Sequence, residues 1–409
     1  MNEKIDWKAI FTLPVIVAAL GYFVDIFDLQ MFGIVRLPSL KSIGLDDAQA
    51  SSIGGQIINW QMVGLLAGGI LWGMLGDKKG RLSVLFGSII TYSIANIGCG
   101  LVHSVEAYKI WRLIAGIGLA GELGAGITLV SETVPIKFRA LATSIVAAVG
   151  LLGAVVGFLT VEFFNWRTAY FAGGVMGFLL LLLRIGVFES EHFKNIKEVS
   201  HISKGNFFEL FTDKERLTKY LKCIGIGIPS WFVIGTLLYY SNEFGKSAGI
   251  ENIKPGQSIM WAYFGLSISD FVSGFIVHAL KSRKKTVLLF LLFSIAVVLI
   301  YLFAPIHSAS LFYLLAFFLG VGNGYWALFV TIAAEQFGTN LRATATTTVP
   351  NMVRGSAILT LSLYQWLKTQ GIHVSIAAAI VGAISFSLSL YSILTISETH
   401  DKDLNYLEK

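Results

Sequence analysis

Twelve apolar runs, each close to the length of a bilayer crossing, leave this chain few ways to fold. Six of them, Phe11–Val35, Ile57–Leu75, Leu82–Leu101, Ala107–Val130, Ala140–Val161 and Ala169–Val187, precede a polar stretch from Glu189 to Lys219. Six more follow it: Leu221–Tyr240, Ile259–Leu280, Thr286–Phe303, Leu311–Ala334, Ala343–Trp366 and Val374–Ile396. Crossing the hydrocarbon takes about 20 mostly apolar residues in a helix, and no water is present there to satisfy an open backbone. Composition agrees, with 55% of the 409 residues hydrophobic, 14% charged and a mean hydropathy of +0.71, against about a quarter charged in soluble domains. The expected fold is therefore all-α and integral to the membrane. An N-terminal six-helix bundle (residues 1–190), a linker (191–219), a C-terminal six-helix bundle (220–397) and a tail (398–409) are the expected domains. The first run follows Glu3, Lys4, Asp6 and Lys8, exceeds a signal-peptide core and has no small-residue cleavage site after it, so it reads as a retained span.

Charge supplies the orientation. In this layout 21 Lys and Arg residues fall on one side of the membrane and seven on the other, while Arg112, Arg184 and Arg354 sit inside spans. The positive-inside rule then places both termini in the cytoplasm, in a cell (inner) membrane. The net charge of +6 is accounted for by topology, and no nucleic-acid partner is expected. Cys99 and Cys223 fall near opposite faces, too far apart for a disulfide. Without HExxH or CxxC spacing there is no motif for a metal, a cofactor or an enzyme nucleophile.

Between the second and third runs lies Gly73-Met74-Leu75-Gly76-Asp77-Lys78-Lys79-Gly80-Arg81. Its G-x-L-x-D-[KR]-x-G-R spacing resembles the loop signature of the major facilitator superfamily. The halves also repeat one another: Glu132 with Arg139-Ala140 and Glu335 with Arg342-Ala343 share an E-x6-R-A pattern, 203 residues apart, each after a glycine-rich run. The second copy of the loop, Lys281-Ser-Arg283-Lys284-Lys285, keeps its basic charge and lacks the aspartate. Asp77 is expected just past a helix end, where a carboxylate can meet the free N–H groups of a neighbouring helix. The resemblance implies that this neighbour belongs to the opposite half, and that Gly73, Asp77, Gly80, Arg81, Glu132, Arg139, Glu335 and Arg342 form a cytoplasmic latch. Asn165-Trp166-Arg167, Arg184 with Glu189-Ser190, and Ser397-Glu398-Thr399 with Leu404 resemble landmarks of the sugar-porter and metabolite–proton symporter branch. The seventh run lacks the paired glutamines of sugar porters, which argues against a sugar.

Ionisable groups inside a membrane are costly and mark function by default. Asp25 and Asp28 are three apart on the first run, and Arg112 lies at a matching depth on the fourth. A carboxylate beside an arginine has its proton affinity set by that partner, which suits proton coupling. Asp28 is the first choice for titration and Asp25 the second, and a static ion pair is the alternative. Arg112-x3-Gly116-x-Gly118 resembles the superfamily's R-x3-G-x-G pattern. Glu122, among Gly118, Gly121, Gly124 and Gly126, resembles the G-E-x-G-A run of metabolite–proton symporters and either lines the cavity or bonds a neighbouring helix.

Arg354, four residues after Pro350 near the middle of the eleventh run, is the clearest pointer to cargo. A guanidinium at that depth needs a counter-ion, and its planar fork suits a carboxylate or phosphate. Asp270 on the eighth run is the competing internal partner. Gln56, Asn59, Trp60, Trp231, Tyr240, Asn323, Trp326, Asn351 and Gln365 are further candidates for the pocket wall, where polar and aromatic side chains orient a ligand. The reading is a secondary transporter of a small organic anion, coupled to protons by symport, working as a monomer because the fold needs no partner to complete its pathway. The alternative is an exporter or facilitator of a neutral, zwitterionic or sugar-like solute.

Overall fold

The computed structural model describes residues 11–79, 81–121, 134, 139–188 and 207–399, and among them the regular structure is entirely helical. The N-terminal half contains α1 (Leu13–Ser42), α2 (Asp47–Lys79), α3 (Arg81–Gly100), α4 (Val105–Leu119), α5 (Arg139–Phe163) and α6 (Trp166–Phe188). After a 3-10 turn, Phe207–Phe211, the C-terminal half contains α7 (Lys214–Phe232), a π-helical segment Val233–Leu238, and α8 (Ser241–Ser247). Then come α9 (Pro255–Leu280), α10 (Arg283–Phe303), α11 (Ala309–Gly322), α12 (Trp326–Gln336), α13 (Thr339–Gly355), α14 (Ala357–Thr369) and α15 (Val374–Thr395). Every apolar run named above falls at least partly on a helix. Eight segments are long and apolar enough to cross a membrane among the described residues.

Local chemistry sets several helix ends. Ser104, Ser282 and Ser308 each accept a hydrogen bond from an amide three residues on, capping α4, α10 and α11. Asp213 caps α7 by accepting from the Arg216 amide at 2.9 Å, and that bond holds its carboxyl below the usual carboxylate range. Helix α2 runs to Lys79, so Asp77 lies inside its last turn rather than beyond it.

Three runs of the C-terminal half that read as unbroken spans are interrupted, and in the N-terminal half α4 ends at Leu119, inside the fourth run. The seventh passes through the π segment and breaks at Tyr239–Tyr240, the tenth turns at Asn323–Tyr325, and the eleventh ends α13 at Gly355 and resumes at Ala357. A π turn widens the ladder and displaces carbonyls from their usual donors. Backbone freed in this way is tolerated in a bilayer only where it is buried in protein or lines a cavity.

The two halves interdigitate through α5 against α9, α2 against α13 and α14, and α1 against α9. Within each half small residues permit close approach. A Cβ on Gly116 of α4 would overlap the Gln61 carbonyl oxygen of α2, and one on Gly320 of α11 would overlap Ala262 of α9. Polarity is inverted relative to a soluble protein: Leu182, Leu183, Leu359 and Leu388 face outward, while Asp25, Asp28, Arg36, Arg112, Arg184, Asp270 and Arg354 are buried. An apolar exterior around a charged interior is what a bilayer as solvent selects.

Candidate functional site

Between the halves, where the three broken runs meet α1, lies a cavity of about 10 Å³, room for about one water. From α1 come Tyr22, Ile26 and Leu29, at the i, i+4, i+7 spacing that aligns side chains on one helix face. The C-terminal half contributes Trp231 and Ile234 from the seventh run, Tyr263 from α9, Asn323 and Trp326 at the tenth-run break, and Arg354 one residue before α13 ends. A cavity this small matches a closed conformation, with cargo admitted only when the halves separate.

Arg354 is the chemical centre. It is fully buried, and its Nη2 donates to Asp25 Oδ2 at 3.4 Å, an ion pair joining the two halves. Its Nε and Nη1 have no hydrogen-bond partner. The guanidinium is thus only partly satisfied: with Nε and Nη1 unused it can take a further acceptor from the cavity, and a carboxylate that replaced Asp25 on Nη2 could grip it in bidentate fashion. Trp231 Nε1 and Asn323 Oδ1 are also without partners around the same space. A ligand there would meet a cation, an N–H donor and an amide oxygen in otherwise aromatic walls.

The pairing differs from the sequence expectation on both sides. Asp25, not Asp28, holds the ion pair, and it holds Arg354 rather than Arg112. Arg112 reaches Asp28 only at its main-chain carbonyl, 3.3 Å from Nη2, and no Asp28–Arg112 ion pair is present among the described residues. A three-residue step rotates a side chain by about 60° from its neighbour's face, so Asp28 packs against Gly173 of α6 while Asp25 turns toward the other half. Asp270 is not the partner of Arg354 either. It accepts a hydrogen bond from the Ala327 amide at 3.0 Å and so caps α12 from α9.

Of the proposed wall residues, Arg354, Trp231, Asn323 and Trp326 meet at the cavity. Gln56 and Trp60 instead lie exposed on α2. Asn59 donates to Ser362 and Asn351 to the Ala120 carbonyl, both tying one half to the other. Tyr240, with Gln365 nearby, sits at the end of the molecule where α1 finishes and α2 begins. Tyr22 and Tyr263 are wall residues that the sequence reading passed over. Tyr22 carried a usable signal, since it precedes Asp25 by three on the same helix.

That end of the molecule is closed by contacts between the halves. Ser51 Oγ donates to Glu243 Oε1 at 2.5 Å across the halves, while within the C-terminal half Lys368 Nζ lies 2.5 Å from Glu243 Oε2 and the Tyr364 hydroxyl donates to the same oxygen at 3.0 Å, fixing that carboxylate. Lys254 pairs with Glu162 at 2.9 Å between α9 and α5. At the opposite end Arg283 pairs with Glu335 at 2.5 Å, and Glu398 accepts from the Arg283 and Lys284 amides at 3.2 and 3.3 Å, satisfying the first turn of α10. Of the expected latch, Gly80 and Glu132 lie outside the described residues, as does Glu122. Gly73, Asp77, Arg81 and Arg139 are described only as helix backbone. Arg342 sits on the first turns of α13.

Comparison with known proteins agrees with this architecture. The Major Facilitator Superfamily profile matches residues 18–361. A putative metabolite transport protein of Haemophilus influenzae is 30% identical over 87% of this chain and 88% of its own length. The cis,cis-muconate transport protein of Acinetobacter baylyi is 23% identical over 96% and 95%. Among solved structures, the proton:xylose symporter XylE bound to 6-bromo-6-deoxy-D-glucose superposes with a TM-score of 0.70, covering 98% of both chains at 16% identity, a likeness of fold. With the profile running through both bundles and a relative of such identity matched over most of its length, the chain belongs to the Major Facilitator Superfamily: it is a multi-pass membrane transporter and not an enzyme.

Proposed function

We propose that the protein imports a small organic anion together with protons, by alternating access of two six-helix bundles around the Arg354 cavity. It would do so as a monomer in the cell (inner) membrane, with twelve spans and both termini in the cytoplasm. The observation that carries this reading is the buried Asp25–Arg354 pair across the halves, with two guanidinium donors left over. A substrate carboxylate takes the place of Asp25 on Arg354. Asp25 Oδ2, released from the guanidinium, receives the proton, so no bare charge is left in the dry interior when the bundles rock. Asp28, with Arg112 close by, is a second carboxylate available to the same proton path. The aromatic walls formed by Tyr22, Trp231, Tyr263 and Trp326 favour a planar or unsaturated acid over a polyol, since rings bury apolar faces and offer few hydroxyl partners. The muconate relative, whose cargo is an organic anion by name, supports the same class.

The test is a thermal-shift screen of the purified protein against carboxylates, sugars, amino acids and amines, with Arg354→Ala in parallel. A carboxylate is expected to raise the Tm of the parent by mass action and to leave the variant unmoved. Uptake of that carboxylate into proteoliposomes should then follow an imposed pH gradient. Stabilisation by neutral or cationic compounds alone would sink the anion reading.

A further inference from the structure

Arg36 differs from Arg354, the ion-paired guanidinium at the centre of the path. It is fully buried near the end of α1, and its guanidinium crosses between the halves. Nη2 donates to the Tyr239 carbonyl at 2.8 Å and to Asn242 Oδ1 at 3.0 Å, and Nη1 donates to the Ala50 carbonyl at 3.4 Å. Its Cζ stands 4.2 Å from the centre of the Tyr240 ring, and Nε has no partner. All of these partners are neutral, and no carboxylate is within ion-pair distance of Arg36 among the described residues. Nearby Lys368, in contrast, is matched by Glu243 at 2.5 Å. A buried cation held only by dipoles is a poor strut, because an apolar side chain of the same volume would seal the interface with less desolvation.

The residues gripping Arg36 are those best placed to move. Tyr239 and Asn242 flank the point where the seventh run, after its π segment, breaks and restarts as the short helix α8. If α8 and the Tyr239–Tyr240 corner swing away from α1, the guanidinium loses its two strongest acceptors and its aromatic cover together. It is then left facing water at the mouth of the path to Arg354. Arg36 and Asp25 lie eleven positions apart on α1, about 16 Å along a helix axis, so the step from mouth to centre is one helix segment long.

We propose that Arg36 is an outer docking site for the carboxylate of the incoming substrate, which it holds before Arg354 does. This rests on the anion-import reading above. While the path is shut, the Tyr239 carbonyl, Asn242 and the Tyr240 ring stand in for the anion. When it opens, the exposed cation draws the carboxylate inward along a field that salt screens.

The test uses uptake of radiolabelled cis,cis-muconate and benzoate into right-side-out membrane vesicles by the parent, Arg36→Met and Arg36→Lys. Methionine is chosen because a volume-matched apolar residue at a buried charge usually preserves the fold. Arg36→Met should raise KM about tenfold, the loss of one charge-assisted contact, at near-parental kcat, and Arg36→Lys should stay within about twofold of the parent. A residue that merely latches the gate predicts the opposite sign. Loosening the latch populates the open state and lowers the apparent KM, so an unchanged or lower KM in Arg36→Met overturns the proposal. A second reading needs no variant: the parent's KM should climb between about 20 and 200 mM salt, and a flat profile also overturns it. A parent that takes up neither carboxylate overturns the import reading itself, a result distinct from uptake that is indifferent to Arg36.

Discussion

At the scale of single residues, the interior is organised by which carboxylate meets which guanidinium. Asp25 and Arg354 are fully buried and 329 positions apart, yet they form the ion pair that joins the halves at the cavity. Removing one member of a buried pair typically costs about 3–5 kcal/mol because the other charge is stranded. Asp25→Asn avoids part of that cost by keeping the shape and an acceptor oxygen. It is expected to retain exchange of labelled for unlabelled substrate at equal pH while losing accumulation driven by a pH gradient, as measured in proteoliposomes. Loss of both activities together would assign Asp25 to binding alone. The existence of a buried acid and a buried arginine was legible from the sequence, since charged residues inside apolar runs stand out. The choice between Asp25 and Asp28 was not, because it depends on a rotation of about 60° along α1 and on a partner supplied by a different bundle. Arg36 was hidden for a related reason. It follows the first apolar run directly and so counts as a loop charge in topology, whereas α1 continues to Ser42 and carries it into the interface.

At the scale of elements, hydropathy located the helices because bilayer thickness imposes one length on them all. It could not locate the breaks. The π segment Val233–Leu238, the turn at Asn323–Tyr325 and the joint at Gly355–Ser356 all sit inside apolar sequence, and periodicity sees no boundary there. Glycines were present at each, Gly235, Gly322, Gly324 and Gly355, but glycine is common throughout this chain for helix contact and so carried little information about bends. One of the new ends is held by a side chain from another helix: Asp270 of α9 accepts from the Ala327 amide in the first turn of α12. Asp270→Ala should destabilise the protein by about 1–2 kcal/mol, the range of a lost N-cap, and Asp270→Asn, which keeps an acceptor, by less. Thermal melts in detergent with and without a stabilising carboxylate would check this ranking. Equal losses in the two variants would mean that the carboxylate does something other than cap.

At the scale of the whole molecule, the two halves divide the work unequally. The N-terminal half offers long continuous helices, α1 and α2 being 30 and 33 residues, and presents to the cavity a row from α1 together with Leu151 of α5. The C-terminal half supplies the three interruptions and the rest of the wall, including both tryptophans and Arg354. On the proposed mechanism, proton handling falls to Asp25 in the upstream stretch, while the wall that meets cargo lies mostly downstream, Tyr22 being its upstream aromatic member. A chimaera joining residues 1–190 of this protein to the C-terminal bundle of a relative with different cargo should inherit the relative's preference while remaining driven by a pH gradient, as competition uptake assays would show. For a lineage of such transporters the proposed division has an evolutionary consequence: new diets would be acquired by drift or recombination in the downstream gene segment, with an upstream energy-coupling carboxylate left untouched.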